Sequence, residues 1–396
     1  MSIGTDDLTT RLIRLRRTIH ADPEIGLRPE RTQARILAEL DGLDIDIHTG
    51  RSVSSVVAVL RADAARRDAP PVLLRADMDA LPLTEASGVD YASTNPHAAH
   101  ACGHDLHVAM LVGAIHRLAA ARDHVTRDVI FVFQPGEEGH DGARHMLDEG
   151  LLEVAGDRPG AAFALHVAAT APAGLFVLRA GPTLAGSGTL RVTFRGAGGH
   201  GAWPHRARDP IPALGLAIGA LQTMVTRRFD ALDPVIVSIG VVQAGTAANI
   251  VPETATLEAT IRAFDTDTRT AVLAEATRVC QSVAAASGVS AEVDTELGYP
   301  PTVNDPGQVA VARTLLRDLV GEDRVIEADR PNLVSDDFGR ILAEVPGAMI
   351  TLGARPPGLD PHTAAGNHSP AAVFDDAVID DGVHAFVTLA IGSPLR

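Results

Sequence analysis

Three short apolar segments constrain the fold of this chain more than any other feature. Val72–Leu74, Val129–Phe133 and Ala161–Leu165 are apolar along their whole length, not only at alternate positions. That pattern is typical of strands buried on both faces, as in the sheet of an α/β protein. Open α/β sheets bind ligands beyond the carboxyl ends of their strands. The sequence therefore predicts an α/β fold with a functional site at one edge of its sheet.

Carboxylates and an imidazole follow these three segments along the chain. Asp77 and Asp79 follow the first, Glu137 and Glu138 the second, and His166 the third. For the two aspartates, turn formation or helix capping is an equal alternative to a functional role. Adjacent glutamates point in different directions, so one can bind a metal ion while the other acts as a general base toward water. The glutamate pair therefore indicates a metal-assisted hydrolase.

The densest group of potential metal ligands lies in His97–His107, which holds four histidines and Cys102. One glycine separates Cys102 from His104, and the apolar residues that follow recur at helical spacing. A thiolate and an imidazole at this spacing suit zinc and its neighbours. A buried cysteine beside solvent-facing histidines is the alternative, but the density of ligands favours a metal site. His368, in the loop Gly366–Pro370, is either structural or a further ligand.

The charge and composition of the chain exclude several classes of function. A net charge of −16 argues against binding to nucleic acid or to an anionic membrane surface. All 34 basic residues are arginine, and the lack of lysine excludes Schiff-base chemistry, a pyridoxal enzyme and a Walker-type phosphate loop. The two cysteines form no disulfide framework, residues 1–20 lack the apolar core of a signal peptide, and no apolar run reaches membrane-spanning length. We therefore expect a soluble, cytoplasmic protein.

The middle of the chain has a different order of elements. Between residues 185 and 298 the pattern indicates strand, helix, strand, strand, helix and strand, the order of a ferredoxin-like βαββαβ unit. Segments rich in glycine, proline and serine bound this region, and its length is usual for a domain. We predict an inserted domain at 185–298, within a catalytic domain made of residues 1–184 and 299–396.

Eight sequence motifs cover nearly the whole chain: Arg16–Gly26, Arg75–Pro82, His100–Asp105, Phe133–Gly139, Leu165–Val167, Gly198–His205, Gly245–Pro252 and Asn367–Pro370. In this order they resemble the motifs of the M20 metallopeptidases. The resemblance is specifically to the amidohydrolase branch, with its hippurate hydrolases, N-acyl-amino-acid hydrolases and auxin-conjugate hydrolases. It implies a zinc-peptidase-like catalytic domain with a central mixed sheet flanked by helices, and an inserted domain that serves as lid and dimer interface.

Carried over residue by residue, the resemblance implies a site for two divalent metal ions. Zinc is the expected ion, with manganese, cobalt or nickel as alternatives. Glu137 would be the general base. Asp79 would contact a metal ligand, not the metal itself, and orient it. His200 of the partner subunit would stabilise the oxyanion, while Asn249 and Arg262 would contact the substrate. The implied metal ligands are Cys102, which would bridge both ions, His104, Glu138, His166 and His368.

The implied reaction is hydrolysis of the amide bond of a small N-acyl amino acid to a carboxylic acid and a free amino acid, by a homodimer or larger homo-oligomer. A dipeptidase or carboxypeptidase of the same family and a non-catalytic metal-binding protein are the alternatives. Ala168 and Ala169 replace the aromatic residue and proline usual in the family, so the resemblance does not predict which acyl group the substrate carries. His205 supports His200 or closes its own loop. Core or helix-surface positions are predicted for Cys280, His97, His107, His116 and His145.

Overall fold

The computed structural model describes residues 5–395, which form two compact units. The first unit holds the residues up to Gly181 together with Val303–Arg330 and the chain from Arg340 onward. The second unit holds Pro182–Thr302 and Pro331–Gly339. The sequence had placed this last segment in the catalytic domain. Residues 1–4 and 396 of the predicted catalytic domain lie outside the described residues.

Within residues 5–395 the chain forms nine α-helices and sixteen strands. The helices are α1 (Thr5–Ala21), α2 (Glu30–Leu40), α3 (His104–Ala120), α4 (Gly142–Asp148), α5 (Pro210–Arg228), α6 (Thr266–Ala286), α7 (Pro306–Val320), α8 (Phe338–Leu342) and α9 (Val378–Ile391). The strands are β1 (Asp46–Thr49), β2 (Val56–Leu60), β3 (Val72–Asp77), β4 (Val129–Gln134), β5 (Ala161–Pro172), β6 (Phe176–Leu178), β7 (Gly181–Leu184), β8 (Gly186–Arg195), β9 (Gly199–His200), β10 (Val235–Ala244), β11 (Ile250–Val251), β12 (Thr254–Ala263), β13 (Ser290–Leu297), β14 (Thr302–Asn304), β15 (Val325–Glu327) and β16 (Gly347–Arg355).

The first unit is built on an eight-stranded mixed sheet in the order β1-β2-β4-β3-β5-β16-β6-β15. Strands β4, β3, β5 and β16 are parallel to one another, and β1, β2 and β6 introduce antiparallel pairings. Every residue of β3 and β4 is buried, which explains the apolar runs Val72–Leu74 and Val129–Phe133 within them. The carboxyl ends of the parallel strands share one edge of the sheet. The predicted α/β class with a central mixed sheet is confirmed.

Strand β5 is longer than its apolar core suggests. The sequence predicts an end at Leu165, but the strand continues to Pro172 because β16 pairs with it beyond the end of β3. His166 therefore lies inside a strand, opposite Thr351. In the ladder with β3, Arg75 pairs with Ala164, so His166 is level with the end of β3. The imidazole still reaches the edge where the predicted carboxylates lie.

Helix α3 is the central helix of the first unit and is buried on almost every side. It packs against α1 and α9. At Gly113 the approach is so close that a β-carbon would collide with Leu12 of α1 and Val383 of α9. Each fully buried apolar side chain in this core contributes about 1.5–3 kcal/mol relative to an exposed one. This packing fixes the position of α3, which begins at His104 and is preceded by the turn that carries Cys102.

The second unit contains a four-stranded antiparallel sheet in the order β10-β12-β8-β13. Helices α5 and α6 pack on this sheet, and its element order is the predicted βαββαβ. Cys280 is buried in the apolar core of this unit. The segment Pro331–Gly339 joins the unit through backbone hydrogen bonds from Ala185 to Asn332 and Val334. Across residues 5–395, no helix combines the length and apolar character needed to span a bilayer.

Candidate metal centre

The turn before α3 directs Cys102 and His104 into one site. Gly103 between them has a φ of 83°, and a β-carbon there would collide with Val167, so only glycine fits. The Nδ1–H of His104 donates to the backbone carbonyl of Asp79 at 2.8 Å. The other ring nitrogen, Nε2, is buried and has no hydrogen-bond partner among the described residues. A buried imidazole nitrogen without a partner is what a metal ligand presents in the absence of its ion.

Asp79 fixes the turn that carries the two glutamates. Its Oδ1 accepts the backbone N–H of Glu137 at 2.9 Å, and its Oδ2 accepts that of Glu138 at 3.1 Å. Burial raises the pKa of Asp79 to about 6, although the charge of His104 and these two N–H groups act in the opposite direction. Through its carbonyl and its carboxylate, this residue orients His104 and both glutamates at once. That Asp79 orients a metal ligand stays a prediction.

His166 offers a neutral imidazole to the sulfur of Cys102. Its Nδ1–H donates to the carbonyl of Val167 at 3.0 Å, which leaves the Nε2 lone pair 3.6 Å from the Cys102 sulfur. Burial lowers the pKa of His166 to about 3. The ring therefore stays uncharged at neutral pH. Neutral imidazole is the form that binds metal ions.

His368 reaches the same site from a loop with an unusual backbone. Its φ is 68°, in the left-handed region that non-glycine residues rarely adopt. The backbone N–H of His368 donates to the carbonyl of Ala101 at 2.9 Å. The ring Nε2 lies 3.2 Å from Oε1 of Glu138. The loop conformation is thus held in place beside the Cys102 turn.

Among several groups of potential ligand atoms, two share the sulfur of Cys102. In one group, the atoms of Cys102, His104 and His166 lie within 4.8 Å of one another, and in the other those of Cys102, Glu138 and His368 do. Burial and the charges of Glu138, Glu137 and Asp77 raise the pKa of Cys102 well above its usual value. Positive charge is needed to stabilise a thiolate there. Sulfur, nitrogen and carboxylate donors suit a transition-metal ion, so the two groups fit two divalent cations.

Asp77 and His107 form a supporting pair whose role the sequence did not reveal. The Nε2 of His107 accepts the backbone N–H of Val167 at 2.9 Å, so its Nδ1 carries the proton and donates to Asp77. Arg75 donates to the other carboxylate oxygen of Asp77 at 2.6 Å. Both nitrogens of the buried His107 are thus engaged in hydrogen bonds. One signal was available, because His107 follows His104 by three residues and shares its helix face.

A buried ion-pair network lies behind the first turn of α3. Asp105 is fully buried, and one of its oxygens lies 2.7 Å from Nε of Arg16 and 2.8 Å from Nδ1 of His20. The other nitrogen of His20 lies 3.1 Å from Glu85. Burial lowers the pKa of His20, but Asp105 and Glu85 outweigh it and raise the value to about 9. Local sequence pattern does not reveal this network, because Arg16, His20 and Glu85 lie far from Asp105 along the chain.

The other predicted site residues belong to the second unit. His200 is exposed on β9, and its Nδ1 accepts the backbone N–H of Ala202 at 3.1 Å, so Nε2–H remains as a donor. Asn249 is exposed, and its carbonyl accepts the N–H of Gly201 at 2.8 Å. These contacts bring the His200 and Asn249 segments together. Arg262 is half-buried and donates to the Ser335 hydroxyl at 2.7 Å, and burial lowers its pKa.

An α/β unit with groups of potential metal ligands at the edge of its sheet, and with a glutamate beside them, is typical of a metal-dependent hydrolase. The chain belongs to peptidase family M20/M25/M40, whose model matches residues 73–391. The predicted resemblance is confirmed.

Individual relatives cover almost the whole chain. Thermostable carboxypeptidase 2 of Saccharolobus solfataricus is 33% identical, over 96% of this chain and 94% of the relative. N-acetylcysteine deacetylase of Bacillus subtilis is 32% identical, over 96% of each chain. Among solved structures, the YXEP protein of Bacillus subtilis, a dinuclear metal-binding peptidase of the M20 family, has a TM-score of 0.82 and 29% identity over 98% of both chains. The similarity therefore extends over both units.

Proposed function

We propose that this chain hydrolyses the amide bond of small N-acyl amino acids to a carboxylate and a free amino acid. The chain is a metal-dependent amidohydrolase, and its site suits two divalent ions. The observation that carries the proposal is the pair of ligand groups sharing the Cys102 sulfur, with Glu137 held beside them by Asp79. The proposed ligands are Cys102, His104, Glu138, His166 and His368.

The proposed reaction follows from the residues around the ligands. Two bound cations would supply Lewis acidity to the scissile carbonyl and to the attacking water. Glu137 takes a proton from that water and later delivers it to the leaving amine nitrogen. Asp79 keeps Glu137 in place by accepting its backbone N–H. His200 has the tautomer needed to stabilise the oxyanion, because Nδ1 accepts a hydrogen bond and Nε2–H can donate.

The donor atoms support zinc as the metal. A thiolate, three imidazoles and a carboxylate form a borderline-soft set, for which zinc is the best match. Manganese, cobalt and nickel remain the alternatives. We place the enzyme in the cytoplasm, because a thiol that serves as a ligand must stay reduced.

The enzymatic proposal is tested by a substrate screen after metal reconstitution. Protein stripped with a chelator should be inactive and should recover activity with zinc, manganese, cobalt or nickel. The screen should include N-acetyl, N-benzoyl and indole-acyl amino acids alongside dipeptides, with product amino acid measured by chromatography. Faster release from N-acyl amino acids than from dipeptides is expected. The reverse preference would assign the chain to the peptidases, and metallated protein inert toward all of them would refute amide hydrolysis.

We propose that the second unit forms the contact between two subunits and supplies His200 to the partner subunit. Strand β10 lies at the edge of its sheet and exposes apolar side chains at Val241 and Val242, which are 39% and 50% exposed. Leu216 on α5 is 61% exposed. Unprotected apolar edge strands are unusual in monomers. Sedimentation equilibrium should give a dimer or larger oligomer, and Val242→Glu should shift it toward the monomer.

Substrate binding by Arg262 gives a separate prediction. A half-buried guanidinium whose polar contact is a hydroxyl is suited to a substrate carboxylate. Arg262→Met should raise KM about 10- to 100-fold, as expected from loss of a charged hydrogen bond, and leave the metal content unchanged. Arg191→Met is the matched control, because Arg191 is an exposed arginine in the same unit that pairs with Asp294 and Glu296. Equal KM values in the two variants would remove Arg262 from the substrate site.

A further inference from the structure

The side chain of Asn367 joins the segments that carry three of the proposed ligands. Its Oδ1 accepts the backbone N–H of Ala169 at 2.9 Å. Its Nδ2 donates to the carbonyl of Val167 at 2.9 Å and to that of Cys102 at 3.3 Å. The same nitrogen lies 3.7 Å from the Cys102 sulfur, within hydrogen-bond range for sulfur. One amide thus connects β5 just after His166, the turn at Cys102, and the loop that continues to His368.

These contacts bear on the strained backbone of His368. A non-glycine residue in the left-handed region is strained and persists only where its surroundings enforce it. The N–H of His368 is held by Ala101, and the preceding residue is held by Val167, Ala169 and Cys102. Both sides of the strained residue are therefore anchored to ligand-bearing segments.

We propose that Asn367 is a positioning residue that sets the geometry of the shared Cys102 sulfur and of His368 for metal binding. This inference rests on the proposed function, because it presumes that Cys102 and His368 bind metal. An amide is suited to this role, since it offers an acceptor to Ala169 and two N–H donors to oxygen and sulfur. Loss of a hydrogen bond that orients a metal ligand typically weakens metal binding about 10- to 100-fold.

The Asn367→Asp variant distinguishes the contribution of the two N–H donors from that of the acceptor oxygen. Asn367→Asp keeps the shape and the oxygen that accepts from Ala169, but it removes both N–H donors and places a negative charge beside the sulfur. Asn367→Ala removes every contact. The aspartate variant therefore reports on the donors to Val167 and Cys102, and the alanine variant on the whole connection.

Asn304 provides a matched control in the same unit. Its Nδ2 donates to the carbonyls of Arg179 and Met349 at 2.9 Å each, and its Oδ1 accepts the N–H of Met349 at 2.8 Å. Like Asn367, it is an asparagine that connects separate segments through its amide. Neither Arg179 nor Met349 is a proposed metal ligand. Asn304→Asp and Asn304→Ala should therefore lower stability without altering the metal centre.

The test uses Co²⁺ as the probe in the full-length protein. Metal-free wild type, the two Asn367 variants and the two Asn304 variants are titrated with Co²⁺ against a chromophoric chelator. Three quantities are recorded: the number of ions bound, their affinity, and the near-ultraviolet absorption of a thiolate bound to Co²⁺. Thermal unfolding without metal measures the purely structural cost. Cys102→Ser identifies the sulfur band.

Asn367→Asp and Asn367→Ala should bind Co²⁺ about 10- to 100-fold more weakly and shift or lose the sulfur band. The Asn304 variants should keep the wild-type affinity and band, even where they unfold at lower temperature. Wild-type affinity and an unchanged band in both Asn367 variants would overturn the inference while leaving the proposed function intact. Failure of the proposed function itself would appear differently, as a wild type without a Cys102-dependent band and without hydrolysis.

Discussion

Glu137→Gln should abolish nearly all hydrolysis while both metal ions remain bound. The amide side chain has nearly the shape of the carboxylate, but it cannot take a proton from water. Loss of a general base typically lowers kcat about 10²- to 10⁴-fold. The Glu137 backbone N–H would still donate to Asp79, so the turn should be retained. Steady-state kinetics on the best N-acyl amino acid, together with metal analysis of the same sample, checks this expectation.

Two further glutamate variants show whether the effect belongs to the base. Glu138→Gln should lose metal as well as activity, because Glu138 is grouped with Cys102 and His368 as a ligand. Glu153→Gln alters an exposed residue that pairs with Arg158, and it should change neither quantity. A Glu137→Gln enzyme with wild-type turnover would exclude Glu137 as the general base.

Asp105→Asn should cause a large loss of stability, because it leaves two buried cations without their shared anion. Arg16 and His20 both lie within hydrogen-bond distance of one Asp105 oxygen, and Asp105 is fully buried. Removing one partner of a buried ion pair typically costs about 3–5 kcal/mol. Urea unfolding of the metal-free protein, followed by circular dichroism, measures the change in the free energy of unfolding.

The pH dependence of this network has a defined sign. The pKa of His20 is raised from 6.5 to about 9, so its contribution to stability is fully present below pH 6.5 and is lost as pH rises toward 9. The pKa of Asp105 is lowered, since Arg16 and His20 outweigh the effect of its burial. Its contribution is present above its ordinary pKa of 3.8 and is lost below it. Stability from this network should therefore be greatest between about pH 4 and 6.5.

Asp128→Asn separates this effect from the general cost of removing a buried aspartate. Asp128 is also buried and pairs with Arg61 and Arg67, but it precedes β4 at the opposite edge of the sheet. Both variants should be destabilised. Only Asp105→Asn should flatten the decline in stability between pH 6.5 and 9, because Asp105 contacts His20 and Asp128 pairs with Arg61 and Arg67 instead. The same decline in both variants would show that His20 does not report on Asp105.

The sequence predicted those parts of the fold and the candidate site that depend on local pattern. Unbroken apolar runs gave β3 and β4, and the residues just after them, Asp79 and Glu137, lie where strand ends meet. The full length of β5 was missed because its last residues are stabilised by pairing with β16, which is distant along the chain.

Tertiary partners explain the remaining differences. Nothing near Asp105 in sequence indicates Arg16 or His20, because these residues meet only when α1 packs against α3. His107 was assigned to the core or the helix surface, yet it holds Asp77 and the Val167 backbone. Such roles depend on which helix faces which strand, and hydrophobic periodicity does not contain that information.

The discontinuous makeup of the second unit limits how this enzyme can be dissected. Asn332 and Val334 accept hydrogen bonds from Ala185, and Ser335 accepts one from Arg262. A fragment of residues 182–302 would lack these partners. A chimaera that exchanged only residues 182–302 would combine a relative's sheet with this chain's own Pro331–Gly339 segment. Any graft between relatives should transplant Pro182–Thr302 and Pro331–Gly339 together.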